Sequence, residues 1–309
     1  MTQTPPKSSK SRSGSVRTAK PRSLGGAVGG IVGAIVMSVV AGVLVTAAVT
    51  PVVAISGIAA NSAISIFENL PDHLNPGQLA QPSTLYARSG DDTVKIAEFY
   101  AQDREMVGWD SISQYVKDAA VAAEDPRFFS HGGVDVLGVG RATFARALGG
   151  DSGGASTITM QYVRNVLIQQ AEAIPDEAAR DAAYEDATRE DADRKLKEMR
   201  YAISIEKEYS KNEILLGYLN IALFGRQIYG IESAARYYYN TSAKDLSLSQ
   251  AASLVAIVQN PSILQLDLEE NLEANKVRRD YILGRMLEQG KITQAQYDEA
   301  IATPIEPVI

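Results

Sequence analysis

The chain has 309 residues, 45% of them apolar, with no cysteine and only two histidines, His73 and His131. That composition suffices for one large domain or two small ones. It excludes disulfides, thiol nucleophiles and Cys- or His-rich zinc sites, so any metal would be a carboxylate-held hard ion such as magnesium or manganese. The net charge of -7 conceals a split: the first 23 residues carry six basic side chains and no acid, leaving 24 basic against 37 acidic residues beyond them. Such an acidic body makes nucleic acid a poor partner.

Residues 1–23, rich in Ser, Lys, Arg and Pro, cannot bury enough apolar surface to fold and read as a disordered tail. Residues 23–67 contain no charge. Within them, 24–50 form a Gly, Ala, Val and Ile-rich run long enough, at ~1.5 Å per helical residue, to cross a ~30 Å hydrocarbon core. A signal-peptide core of ~7–15 residues would be shorter. We therefore expect one transmembrane anchor over 24–55, ended or kinked at Pro51. Basic residues before it and acidic ones after it place the N-terminus in the cytoplasm and the body outside.

Residues 56–82, with Pro71, Pro76, Gly77 and Pro82, read as an extended juxtamembrane connector. Residues 83–88 and 93–100 are predicted strands of a hairpin turning at Ser89-Gly90-Asp91-Asp92. From Ile112 onward apolar residues recur three and four apart, first at Ile112, Val116, Ala119, Ala120 and Ala123, so helices are expected. The same period returns over 158–167, 196–205, 214–223, 246–258 and 274–287. The acidic, alanine-rich stretch 171–193 reads as a solvated helix or mobile loop without chemistry of its own.

Glu124 stands where the first of these helices must stop, because Pro126 disfavours helical geometry at Asp125. The negative end of the helix dipole and the nearby Phe128 and Phe129 favour a proton on that carboxylate, the state a general acid or base must visit. Taken alone, it reads more readily as a solvated helix end, and His131, before Gly132-Gly133, as a turn histidine. Downstream, Gly153-Gly154-Ala155-Ser156 leads into a helix for which Ser156 is the natural N-cap. Backbone N–H groups behind such small residues suit an anion. Thr157, Gln161 and Arg164 fall at i, i+4 and i+7, on one helix face. Arg194 and Glu198 are four apart and read as a surface ion pair worth a few tenths of a kcal/mol.

Four stretches occur in order: EDPRFFSHGGVD at 124–135, GGASTITMQYVRN at 153–165, RKLKE at 194–198 and KNEILLGYLN at 211–220. The set resembles the motifs of glycosyltransferase family 51, the peptidoglycan-polymerising domain of class A penicillin-binding proteins, over roughly residues 85–304. The resemblance implies a mostly α fold over 83–302: a lysozyme-like helical lobe, a smaller membrane-proximal jaw and the short N-terminal hairpin, with 303–309 beginning a linker. It implies a bacterial plasma-membrane enzyme that polymerises lipid II by inverting transfer and releases polyprenyl diphosphate. Glu124 matches the family's general base, and Asp125, Phe128 and His131 match residues that shape the cleft around it. Glu198 matches a second active-site acid, acting directly or through a divalent ion it would bind. Ser156, Thr157, Gln161, Arg164, Asn165, Arg194 and Lys195 would hold the donor, and Tyr218-Leu219-Asn220 with Phe224-Gly225 would support the cleft.

Implied partners are lipid II, the growing glycan strand, the outer-leaflet interface, a possible C-terminal transpeptidase domain and other cell-wall synthesis proteins. Residues 134–148, where Val136, Leu137 and Phe144 are interspersed with Arg141 and Arg146, are expected to meet the bilayer. Ser204-x-x-Lys207 and Ser210-x-Asn212 superficially match penicillin-binding signatures, but they crowd onto one predicted helix with no Lys-Thr-Gly after them and read as coincidence. Two other readings stand beside the transferase: a lysozyme-like glycan-cleaving enzyme and a non-catalytic membrane scaffold.

Overall fold

The structure is a computed structural model that describes Leu74, Asn75, Gly77 and residues 83–89, 92–99, 102–147 and 156–308. The predicted tail, the predicted anchor over 24–55 and most of the connector lie outside the described residues. Among the described residues no helix is long and apolar enough to cross a membrane.

Strands β1 (Ser83–Ser89) and β2 (Asp92–Phe99) pair antiparallel, with Ser89 opposite Asp92. The pairing therefore runs one residue further toward the turn on each strand than the sequence suggested. Its register shifts between Leu85 and Tyr86, and Leu85, Tyr86, Val94 and Ile96 are exposed. A short parallel pair, β3 (Asp103–Arg104) with β4 (Ile228–Tyr229), ties the start of the helical body to its middle.

The body is helical where apolar residues recur at helical spacing, and many of these helices open at a side-chain cap. Helix α1 (Gln114–Glu124) starts at Ser113, whose hydroxyl accepts from the Tyr115 N–H, and ends at Asp125, whose φ of -152° and ψ of 77° leave the helix before Pro126. After α2 (Val136–Ala147), helix α3 (Ile158–Glu172) is capped by Thr157, which accepts from the Met160 N–H. The expected cap at Ser156 is thus off by one residue. The acidic stretch folds as α4 (Glu177–Thr188), capped by Asp176, and Asp191 then caps α5 (Ala192–Glu208). A capping box between Ser210 and Glu213 opens α6 (Lys211–Ile221), which accounts for Ser210 without any acyl-transfer role.

Helix α7 (Ile231–Tyr239) stops at Asn240, a left-handed residue with φ 47°. Helix α8 (Leu248–Gln259) buries Leu248, Ala251, Ala252, Leu254, Val255, Ala256 and Ile257, so it is apolar nearly all round. Such a helix belongs inside, and it packs against α1 and against α10 (Glu269–Glu288), which follows the short α9 (Pro261–Leu264). Helix α3 similarly packs against α4, α5 and α6. One core joins Val116, Phe128, Val163, Leu215, Leu254 and Ile282, each such side chain contributing about 1.5–3 kcal/mol by leaving water.

The last helix, α11 (Gln294–Ala302), is followed by a bound tail. Arg279, fully buried, donates to the carbonyls of Ile301 and Thr303 at 3.2 and 2.7 Å, and the Val308 N–H donates to the Tyr238 carbonyl at 2.8 Å. Residues 303–308, read from sequence as the start of a linker, therefore lie on the domain.

Candidate active site

Glu124 is the last residue of α1, and its side chain is only 13% exposed. One oxygen accepts from Gln161 Nε2 at 3.0 Å and the other from Arg278 Nη2 at 3.1 Å. Gln161 is not free to flip, because the Tyr218 hydroxyl donates to its Oε1 at 3.2 Å. Burial, and then the charge of Glu124, hold the Tyr218 hydroxyl well above its ordinary pKa, so it remains a donor. The amide NH2 is thereby turned to the carboxylate. Arg278 lies over the Tyr281 ring, its guanidinium carbon 4.9 Å from the ring centre.

Asp125 faces the other way. It is buried and accepts from the Ile158 N–H at 3.1 Å and meets His131 Nε2 at 2.8 Å, which ties the end of α1 to the N-terminus of α3. Burial raises its carboxyl pKa above the ordinary carboxylate value, opposed by His131, the Ile158 N–H and Lys211. Phe128 is fully buried, with Lys211 Nζ 4.3 Å from its ring centre. It offers no surface to a ligand, so the expectation that it lines the cleft is replaced by a core role behind the loop. Phe129 is exposed instead.

Thr157 is likewise buried: its hydroxyl donates to the Gly133 carbonyl at 2.7 Å while capping α3. It does not join Gln161 and Arg164 on an open polar face, because a cap residue lies outside the helix whose period set that face. A Cβ on Gly133 would overlap the peptide joining Ala202 and Ile203, so this loop can approach α5 so closely only with glycine there. His131, Gly133, Asp125 and Thr157 thus form a brace that fixes where α1 ends relative to α3.

The second carboxylate, Glu198, is 1% exposed. Arg164 Nε donates to it at 2.7 Å, Lys195 Nζ at 3.3 Å, and Arg194 Nη1 also pairs with it. Lys195 also donates to the Ser156 hydroxyl, and Arg194 Nε to the Arg189 carbonyl. The Arg194–Glu198 pair expected on the surface is therefore buried, at 9% and 1% side-chain exposure. Three cations around one anion leave a formal +2, with Arg164 and Lys195 on its accessible side at 36% and 27% exposure. Burial lowers the Lys195 pKa, opposed by Glu198. The acidic stretch contributes after all, since Arg189 and Asp191 anchor the start of α5 around Arg194.

Helix α3 connects the two carboxylates. Gln161 holds Glu124 and Arg164 holds Glu198, and residues three apart are separated by about 4.5 Å along a helix axis. Asn165 lies half-buried on the same helix, one turn beyond Gln161. Sequence reasoning reached every member of this pair of clusters except Arg278 and the direct role of Tyr218. Arg278 is 154 residues from Glu124 and carries no periodic relation to it. Both oxygens of Glu198 are engaged by cations, and among the described residues no second carboxylate shares these partners. Among the described residues no group of His, Asp and Glu could hold a metal. The charge Glu198 would lend to the magnesium or manganese ion that the sequence allowed is here shared among Arg164, Arg194 and Lys195.

Comparison with known proteins gives the family of the chain. The family model described as transglycosylase matches residues 92–287. Penicillin-binding protein 1F of Bacillus subtilis (strain 168) is 37% identical over 212 residues, covering 68% of this chain and 26% of that protein. Penicillin-binding protein 1A of Rickettsia bellii (strain RML369-C) is 34% identical over 256 residues, covering 81% of the chain and 29% of the relative. The chain thus spans under a third of the length of these relatives. A crystal structure of penicillin-binding protein 1A from Haemophilus influenzae aligns with a TM-score of 0.39 and 20% identity over 75% of this chain and 22% of that one. On the match over most of its folded body, the chain belongs to the transglycosylase family, the peptidoglycan glycosyltransferases, and is related to penicillin-binding proteins 1A and 1F.

Proposed function

We propose that this chain is the membrane-anchored, lipid II-polymerising part of a bacterial cell-wall enzyme. Glu124 takes the proton from the acceptor sugar's 4-hydroxyl as its oxygen forms a bond to the anomeric carbon of the donor MurNAc. The bond from that carbon to the lipid diphosphate breaks on the opposite face, the diphosphate leaves with the electron pair, and configuration inverts. Arg164 and Lys195, with Ser156, meet the departing charge, while Glu198 and Arg194 hold that cluster in place. The observation that carries this reading is the single helix linking the two sites through Gln161 and Arg164. It sets a carboxylate for the nucleophile beside a net-positive cluster for a leaving anion. A hydrolase of uncharged glycan has no use for the three cations, and an inert scaffold none for either arrangement.

The same reading places the predicted helix over 24–55 in the plasma membrane, with the N-terminus in the cytoplasm and the domain outside. It makes a transpeptidase domain and other cell-wall synthesis proteins the natural partners. The exposed Val136 and Leu137 on α2, at 75% and 68%, support contact of this helix with the outer leaflet. Incubation with labelled lipid II, followed by electrophoresis, should yield glycan polymer. Glu124→Gln should keep the fold and lower turnover by ~10²-fold or more, as loss of general-base catalysis does. Near-normal polymer from that variant would remove Glu124 from its role.

A further inference from the structure

Helix α10 is amphipathic in an unusual sense. Its inner side buries Asn275, Arg279, Ile282, Leu283 and Met286, yet its outer side carries Val277 and Tyr281 at 64% and 51% exposure, one turn apart. Single exposed apolar residues are ordinary. This pair is distinguished by its neighbour, because the guanidinium stacked on the Tyr281 ring is the one that holds Glu124. The two distances and one C–N bond put the ring centre within about 9 Å of the Glu124 carboxylate. That is within the span of a disaccharide. A pyranose presents a face of weakly positive C–H groups, which an aromatic ring attracts through its negative π-face. A cation on one side of Tyr281 fixes the ring's plane and leaves the remainder of its surface to a ligand.

We propose that Tyr281, braced by Arg278 and flanked by Val277, is the floor of a sugar subsite on the acceptor side of Glu124. It takes the pyranose next to the one whose hydroxyl Glu124 activates, and so helps select a disaccharide acceptor over a single sugar. The inference rests on Glu124 as the base. Its test therefore includes a measurement that needs no turnover.

The full chain with Glu124→Gln is titrated with soluble GlcNAc–MurNAc disaccharide, and binding is followed by the NMR signals of labelled tyrosine. The Tyr281 signal, assigned by its loss in Tyr281→Phe, should shift on titration. In the active chain, Tyr281→Ala should raise the apparent KM for lipid II by about tenfold, the upper worth of an aromatic contact, with a smaller change in kcat. Tyr281→Phe, which keeps the ring, should recover most of that loss, and melting temperatures should stay alike. A Tyr281→Ala effect confined to kcat would overturn the subsite and leave Tyr281 as a brace for Arg278 alone. Equal losses in the Ala and Phe variants, or an unmoved tyrosine signal, would overturn it too. Absence of polymer from the unaltered chain would instead fail the parent reading, and the titration still decides the subsite.

Discussion

Arg278 and Glu124 lie 154 residues apart and meet at 3.1 Å, the guanidinium bonded to one carboxylate oxygen while Gln161 takes the other. The Glu124 carboxylate is thus aimed from two sides by residues of two different helices, α10 and α3. Removing Arg278 leaves a largely buried carboxylate with one partner, and a loss of about 1–3 kcal/mol is expected for a group so orphaned. Arg278→Ala should lower the melting temperature modestly and polymerisation by about tenfold or more. Arg278→Lys should recover only part, since an ammonium cannot both stack flat on Tyr281 and reach Glu124. Full activity in the Ala variant would show that Gln161 alone orients the base.

The cations around Glu198 differ in exposure, and their substitutions should differ in kind. Arg164 and Lys195 face outward, so Arg164→Met and Lys195→Met should weaken a phosphoglycolipid inhibitor such as moenomycin by at least about tenfold with little loss of stability. Arg194→Met leaves Glu198 short of a buried partner and should chiefly destabilise the fold. Fluorescence polarisation with labelled moenomycin and thermal denaturation separate the two effects. Binding indifferent to both outward cations would dissociate this cluster from the donor.

Asp125 gives a pH signature. Its folded pKa is raised by burial, so the folded state holds a proton that the unfolded state releases as pH climbs above 3.8. The stability from this group is therefore complete at acid pH and lost as pH rises through the raised value. Asp125→Asn, which can still accept from the Ile158 N–H, should remove that decline. The difference in unfolding free energy between the two proteins should change with pH in the mildly acid range and level off above it. A difference independent of pH would show that His131 and the α3 N-terminus fully offset burial.

Helix α2 should touch lipid. Val136→Asp and Leu137→Asp place charge where exposed apolar side chains would otherwise enter the interface beside Arg141. Liposome binding by protein lacking residues 1–60 should fall by about tenfold or more, since inserted side chains of this size each contribute about 1.5–3 kcal/mol. The melting temperature should not change, because neither side chain is in the core. Unchanged liposome binding would place the membrane face elsewhere.

What could be read from the sequence was what is local. Glu124 at a helix end before proline was visible without any partner, whereas the caps Ser113, Asp176, Asp191 and Ser210 emerged only with the fold. Failures came where one residue or one fold-back decided the matter. Moving the α3 cap from Ser156 to Thr157 turned a presumed ligand-facing hydroxyl into a buried clasp on Gly133. Arg194–Glu198 had the spacing of a surface pair, and only the packing of α3 against α5 buries it. Arg278 had no signal at all, because its meaning depends on how α10 crosses the end of α1.

Arg278 and Arg279 are consecutive residues of one helix with opposite duties. The first grips the Glu124 carboxylate, and the second grips the carbonyls of Ile301 and Thr303. The two grips lie on adjacent residues of a helix that the buried Ile282, Leu283 and Met286 seat in the core, so the backbone that positions one positions the other. Loosening the chain at Ile301 and Thr303 should therefore be felt first by the neighbouring Arg278 and its bond to Glu124.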